Sequence, residues 1–112
     1  MSTPEASEPN VTVRDDPEGH RYVVEVDDEV AGFTVYHVRA GRHLFVHTEI
    51  DPGHDGQGLG SKLARGALDD VKAQGGTIVP ICPFIAGWVE RHPEYQALVD
   101  EELLQQIAPT EP

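Results

Sequence analysis

The sequence has very little cysteine and no long hydrophobic run. Cys82 is the single cysteine among 112 residues, which excludes an internal disulfide and fits a reducing compartment. No segment approaches the roughly 18 apolar residues of a membrane-spanning helix. A charged-then-apolar leader segment is also missing. We therefore expect a cytoplasmic protein without a membrane partner.

Basic residues are scarce as well. The chain has 8 Lys and Arg residues against 20 Asp and Glu, which gives a formal net charge of −12. Because the phosphate backbone of a nucleic acid would be repelled, we expect no nucleic-acid partner. The acidity promotes solubility and, as a second effect, favours cationic amine substrates.

Length and composition predict one compact domain. Residues 1–10 and 108–112 are rich in small polar residues and proline, and we expect them to be disordered tails. Residues 11–107 then form a single domain of ordinary size. The oligomeric state has no signature in the sequence.

Hydrophobic periodicity predicts an α+β fold. Short turns separate expected strands at residues 11–14, 20–26, 30–38 and 44–50, which should therefore pair antiparallel. A helix is expected over residues 59–74, a strand over 77–82, and helices over 83–91 and 94–106. The strand–helix–strand unit predicts a parallel pair with a right-handed crossover, and hence a mixed sheet with helices packed on it. The apolar positions of the first helix are Leu59, Leu63, Ala64, Ala67, Leu68 and Val71.

A glycine-rich turn, Gly56-Gln57-Gly58-Leu59-Gly60, connects the fourth strand to that helix. Such a turn leaves backbone N–H groups free at the positive end of the helix dipole, which suits it to hold a phosphate or diphosphate. A tight connection without a ligand is the alternative. A Walker loop is excluded because Ser61 precedes Lys62, and the glycine spacing does not match the dinucleotide fingerprint.

Several segments around this turn form one pattern. They are HTEI (47–50), DGQGLG (55–60), SKL (61–63), VPICPF (79–84) and RHPEY (91–95). Together they resemble the GNAT superfamily of acetyl-CoA-dependent N-acetyltransferases, in particular a subgroup of very small single-domain GNAT-like proteins. The resemblance spans residues 11–99.

The resemblance implies acetyl-CoA as co-substrate, with direct attack of an amine on the thioester. The acceptor would be a peptide or protein lysine or a small amine. The strands carrying residues 48–50 and 78–82 would splay apart, so that the pantetheine arm pairs with the freed strand edge. The residues expected to contact coenzyme A are Thr48, Ile50, Gly56, Gln57, Gly58, Leu59, Gly60 and Ser61.

Acetyl transfer needs a neutral amine, a donor to the thioester oxygen and a proton for the leaving thiolate. Glu49 is our candidate base, and the alternative is a solvent-facing strand carboxylate. His47 lies two residues away on the same strand face and could serve instead, although a packed histidine is commoner. A backbone N–H near Ile50 is the expected donor to the thioester oxygen.

Cys82 ends the last predicted strand and precedes Pro83, which begins a helix whose N-terminus would activate a thiol. Cys82 is a candidate proton donor to the departing thiolate, a candidate nucleophile, or a small buried residue. Many relatives carry a tyrosine on this helix as the acid. Residues 84–90 contain none, and Tyr95 lies further on.

Two further departures from the superfamily matter. Asp55 stands where the loop usually opens with Arg or Gln, and we expect its side chain to turn outward, with Gln57 and the following amides making the contacts. The short chain leaves little room for substrate-binding walls, which indicates an open acceptor cleft. The missing tyrosine keeps a second function open, a CoA- or acyl-CoA-binding module with little or no catalysis.

The histidines do not predict a metal site. His43 and His47 would share one strand face but lie about 13 Å apart, too far to ligate one ion.

Overall fold

The structure is a computed structural model that describes residues 10–51 and 58–102. The main elements in chain order are β1 (Val11–Asp16), β2 (Arg21–Val26), β3 (Glu29–Arg39), β4 (Arg42–Ile50), α1 (Leu59–Ala73), β5 (Thr77–Pro80) and α2 (Pro83–Glu90). A short 3-10 segment, Pro17–Gly19, follows β1, and another, Pro93–Leu98, follows α2.

The five strands form one sheet in the order β1-β2-β3-β4-β5. Neighbours from β1 to β4 pair antiparallel, and β4 pairs with β5 in parallel. These pairings confirm the predicted α+β fold with a mixed sheet and a strand–helix–strand unit.

Two-residue turns connect the central hairpins. Asp27 and Asp28 have φ of 50° and 72°, and Ala40 and Gly41 have φ of 51° and 81°. Positive φ at both positions is the type I′ geometry, whose twist matches that of paired strands. The turns therefore set the register of β2 with β3 and of β3 with β4.

The helices cover one face of the sheet. All six apolar positions predicted for α1 are buried, and α2 adds Ile85, Trp88 and Val89. Burying each leucine, isoleucine or valine of this set stabilises the fold by roughly 1.5–3 kcal/mol, since apolar surface leaves water, and each alanine contributes less. Within the described residues, no helix combines the length and apolar character needed to cross a bilayer.

Two buried tyrosines tie surrounding elements to the core. Tyr22 donates its hydroxyl hydrogen to Asp70 Oδ2 of α1 at 2.6 Å, and Tyr36 donates to Asp15 Oδ1 of β1 at 2.5 Å. Burial, together with these carboxylates, raises the pKa of both tyrosines. Both hydroxyls thus remain protonated donors, and neither is left unsatisfied in the core.

The expectation that His43 and His47 share a strand face is wrong. Val35 pairs with His47 while the next residue, Tyr36, pairs with Phe45, so one extra residue is inserted in β4. This bulge reverses the alternation of side chains along the strand. His43 is buried beside Tyr36, whereas His47 is exposed.

The C-terminal part differs from the prediction in two places. β5 ends at Pro80, two residues before the expected end, because the chain turns away from β4 there. The helix expected over residues 94–106 is also wrong in its first half. Residues 93–98 form a 3-10 segment, and Val99 pairs with Ile78 as an isolated bridge. An Asp100 N–H donates to Ile78 O at 2.9 Å, which holds this segment against β5.

We predict that His43 makes folding sensitive to mild acid. Its Nδ1 has no hydrogen-bond partner within the described residues, and burial lowers its pKa despite the opposing charges of Asp15 and Asp70. The unfolded chain takes up a proton near the ordinary histidine pKa of 6.5, and the folded chain resists it. The free energy of unfolding should therefore fall as the pH drops through about 6.5.

Urea unfolding between roughly pH 7.5 and 5 measures this slope, above the range where most carboxylates titrate. His43→Phe should flatten the slope, because a neutral ring keeps the packing and removes the titrating group. His37→Gln, at an exposed position of β3, is the matched control and should keep the wild-type slope. Equal slopes in His43→Phe and the wild type would contradict the prediction.

Candidate functional site

The parallel pairing of β4 with β5 stops before β4 ends. Its last pair is Phe45 with Pro80, whereas β4 stays paired with β3 as far as Ile50. The N–H groups of Ile81 and Cys82 both donate to Phe45 O, at 3.0 and 2.8 Å, and turn the chain away. Beyond Phe45, this edge of β4 is no longer paired with β5. An extended ligand could hydrogen-bond to it as an added strand.

Cys82 faces this edge from the helix-covered side of the sheet. Its Sγ donates to Thr48 Oγ1 at 3.4 Å, and Thr48 Oγ1 shares a 2.8 Å hydrogen bond with Thr34 Oγ1. Thr34 is fully buried and Cys82 is 5% exposed. The structure thus joins a predicted catalytic candidate, Cys82, to a predicted cofactor residue, Thr48, through a direct hydrogen bond.

His47 and Glu49 lie on the opposite face of the sheet. His47 Nε2 and Glu49 Oε2 are 2.8 Å apart, so the expectation that they share a strand face is confirmed. Their side chains are 56% and 61% exposed, which leaves both open to a substrate in solution. Glu49 lines a shallow cavity of about 240 Å³ together with Gly32, Phe33 and Ile50. The two candidate bases therefore form one pair, separated from Cys82 by the sheet itself.

Glycine is favoured at positions 58 and 60, at the start of α1, for different physical reasons. Gly58 caps the helix with φ 71°, in the left-handed region that favours glycine, and a Cβ there would meet no atom of the described residues within 4 Å. The first helical bond runs from Lys62 N to Gly58 O, so the N–H groups of residues 59–61 precede it. N–H groups at a helix N-terminus are suited to an anion such as a diphosphate.

Gly60 allows a close approach of the Phe84 ring. A Cβ at this position would lie 2.8 Å from Phe84 Cζ of α2, a separation that real Cβ atoms do not show. The same added Cβ would lie 3.8 Å from Ile50 Cγ1. Gly60 therefore allows the first turn of α1, the end of β4 and the first turn of α2 to meet.

Ser61 contacts α2 as well. Trp88 Nε1 donates to Ser61 Oγ at 2.9 Å, and the residue Ser61 itself is exposed. The other predicted cofactor residues in the described part of the chain lie on β4 and at the start of α1, beside the opening where β5 turns away from β4 after Phe45. Thr48 and Ile50 are on β4, while Leu59 buries its side chain and can offer only its amide. Gly56 and Gln57, like Asp55, lie outside the described residues.

Tyr95 is placed away from the opening. Its hydroxyl donates to Asp69 Oδ1 at 2.6 Å and accepts from Arg65 at 3.3 Å. Asp69 lies near the middle of α1, well beyond the glycine turn. Burial and the Asp69 hydrogen bond raise the pKa of Tyr95. Tyr95 therefore does not replace the missing tyrosine of α2, whereas the thiol of Cys82 donates to Thr48 on β4.

Three residues with contacts in this region were not singled out from the sequence. They are Thr34, Phe84 and Trp88. The sequence could have indicated Thr34, since it places a hydroxyl group at an inward position of an otherwise apolar strand face. The sequence gives no sign of the contacts of Phe84 and Trp88, because a contact between helices distant in sequence leaves no local pattern. Among described residues, no three His, Cys, Asp or Glu side chains cluster as metal ligands.

We predict that Gly60→Ala destabilises the protein by about 1–3 kcal/mol, the usual cost of forcing atoms into a packed core. The introduced methyl group would displace the Phe84 ring. Thermal or urea unfolding measures the loss, and Gly60→Ala combined with Phe84→Leu should recover part of it. Gly75→Ala is a control for strain alone, since its φ is 78° and its surroundings are open. Additive effects of Gly60→Ala and Phe84→Leu would refute the proposed clash.

Comparison with known proteins identifies the family. The family model described as GCN5-related N-acetyl-transferase matches residues 21–98 of the 112-residue chain. The matched range runs from β2 to the end of the second 3-10 segment, so it includes the diverging strands β4 and β5 and both helices. No curated protein matches the chain. The chain belongs to the GCN5-related N-acetyltransferase family.

Proposed function

We propose that this protein is an acetyl-CoA-dependent N-acetyltransferase that transfers an acetyl group to an amine. Membership of the family supports acetyltransferase chemistry in general. The observation that carries the proposal is the early end of the β4–β5 ladder at Phe45 and Pro80. It leaves an edge of β4 with which the amides of a pantetheine arm can pair, on the strand that precedes Gly58 and the first N–H groups of α1 in the chain.

The binding residues act through backbone more than through side-chain charge. With a net charge of −12, the chain as a whole repels a polyanion such as coenzyme A. Local dipoles have to outweigh that repulsion, and the N–H groups of residues 59–61 supply them at short range.

Salt screens the long-range repulsion more strongly than these direct contacts. Affinity for coenzyme A should therefore rise with moderate salt.

On the exposed face, His47 and Glu49 would take the amine proton. The acceptor amine is protonated at neutral pH and must lose a proton before it attacks. The 2.8 Å contact lets the two side chains share that proton between His47 Nε2 and Glu49 Oε2. The cavity beside Glu49 is open and partly apolar, lined by Val30, Phe33 and Ile50 among others. Such a surface suits the aliphatic stem and cationic head of a lysine or a small amine.

On the covered face, Cys82 would donate the proton that the departing thiolate takes up. The reaction forms a C–N bond and breaks the C–S bond of the thioester. The protonated amine loses two protons on the way to the amide, of which one ends on the coenzyme A sulfur and the other is released to solvent. Cys82 Sγ already presents its hydrogen to Thr48 Oγ1 beside the unpaired edge. A hydroxyl is no base at neutral pH, so this contact supports a proton donor better than it supports a nucleophile.

A second candidate function is a CoA- or acyl-CoA-binding module with little or no catalysis. Two observations favour it: the hydroxyl of Tyr95 is engaged by Asp69 and Arg65 away from the opening, and the Cys82 thiol is nearly inaccessible. Both functions predict that coenzyme A binds. They differ in whether an acceptor amine releases free thiol.

The test is acceptor-dependent release of coenzyme A, measured with a thiol reagent over many turnovers. A polyamine and a lysine peptide serve as acceptors. Cys82→Ala and Glu49→Gln should each lower kcat/KM by about a hundredfold, the scale of one general acid or base. Coenzyme A affinity, measured by calorimetry, should change little. His37→Gln is the control on a neighbouring exposed position.

Three outcomes separate the proposals. Full activity of Cys82→Ala would remove the cysteine from the reaction. Binding of coenzyme A without acceptor-dependent thiol release would favour the binding module. No uptake of coenzyme A by the wild type at millimolar concentration would exclude both functions.

A further inference from the structure

The single tryptophan of the chain forms one hydrogen bond with Ser61, the residue that directly follows the glycine turn. Trp88 is 1% exposed on α2, and its Nε1 donates to Ser61 Oγ in the first turn of α1 at 2.9 Å. A buried indole N–H needs an acceptor, and here the acceptor is an exposed serine in the turn proposed to hold the diphosphate.

The direction of this hydrogen bond determines what Ser61 can offer a ligand. An indole N–H is a donor only, whereas a serine hydroxyl has one hydrogen and two acceptor lone pairs. Because Trp88 occupies a lone pair of Ser61 Oγ, the hydroxyl hydrogen must point away from the indole. The Ser61 hydroxyl therefore keeps its hydrogen for another acceptor, and donating a hydrogen bond is the role that an anion requires.

The indole itself cannot easily turn away. Its ring stacks on His92 with centroids 3.8 Å apart and planes 15° apart, and His92 Nδ1 lies 2.7 Å from the Trp88 carbonyl oxygen. Tyr95 packs on the ring at 5.0 Å, and the Arg65 guanidinium lies 5.4 Å from the ring centroid. These contacts fix the N–H direction before any ligand arrives.

We propose that Trp88 is a positioning residue for coenzyme A, which orients the Ser61 hydroxyl to donate to a phosphate oxygen of the diphosphate. This inference rests on the proposed function, because it takes coenzyme A as the ligand. Without the indole, a serine in the first turn of a helix can rotate and hydrogen-bond to nearby backbone instead. Trp88 removes that competing state, so less ordering is needed when the ligand binds.

The first test is the fluorescence of Trp88 in the full chain, which has no other tryptophan. Coenzyme A should change the emission in a saturable way, because a phosphate that accepts from Ser61 alters the partner of the indole N–H. Pantetheine, which has no diphosphate, should leave the emission unchanged. The same change with pantetheine, or no change while calorimetry shows coenzyme A bound, would overturn the proposal.

The second test is a double-mutant cycle on coenzyme A affinity by calorimetry. Ser61→Ala and Trp88→Phe should each weaken binding about tenfold, the scale of one hydrogen bond to a charged group. If Trp88 acts through Ser61, the double variant should bind no more weakly than Ser61→Ala alone. Ser61→Thr keeps the hydroxyl and should retain most of the affinity.

The outcomes are distinct from failure of the proposed function. A Trp88→Phe effect of equal size in the Ser61→Ala background would make Trp88 a structural residue and overturn the inference. Wild-type affinity in either single variant would do the same. If Trp88→Phe does not fold, as circular dichroism would show, the exposed Ser61→Ala variant still decides, since its titration should lose the emission change. Absence of coenzyme A binding by the wild type would instead remove the proposed function itself.

Discussion

The carbonyl of Phe45 is the point on which the rest of the site depends. It accepts from two successive N–H groups, those of Ile81 and Cys82, and so ends the parallel ladder within a single turn. One more regular pair would have covered the edge of β4 next to His47 and Thr48. The early end also places Cys82 at the N-cap of α2, directly across from Thr48. A single carbonyl thereby sets both the opening and the residue that faces it.

Two contacts join the first turn of α1 to α2. Phe84 reaches the backbone of α1 at Gly60, and Trp88 reaches Ser61 next to it. These residues lie one helical turn apart on α2, so they act on adjacent residues of α1. The glycine turn therefore combines two requirements that its sequence does not separate. Gly58 supplies a backbone conformation, whereas Gly60 supplies room for a neighbouring ring.

Features with a local cause could be predicted from the sequence. The buried face of α1 follows from its apolar spacing, and the antiparallel hairpins follow from short turns such as Asp27-Asp28. The glycine turn, taken together with the segments HTEI, SKL, VPICPF and RHPEY, indicated the family. The place of Glu49 beside His47 also followed from strand alternation.

Features set by distant partners could not be predicted. The bulge opposite Val35 arises from pairing between two strands, and it reversed the expected direction of His43. The segment from Pro93 to Leu98 has helical spacing, yet the pairing of Val99 with Ile78 interrupts the helix that spacing predicts. The hydrogen bond from Cys82 to Thr48 depends on where β5 stops, which is a property of the whole sheet.

The placement of Glu49 and Cys82 on opposite sides of a single sheet has an evolutionary consequence. One group sits in water and the other in a dry interior, and no described contact links their side chains. Substitutions on the exposed side can then change the surface around Glu49 while the packing around Cys82 stays intact. A small protein of this architecture can therefore vary that surface without rebuilding its interior.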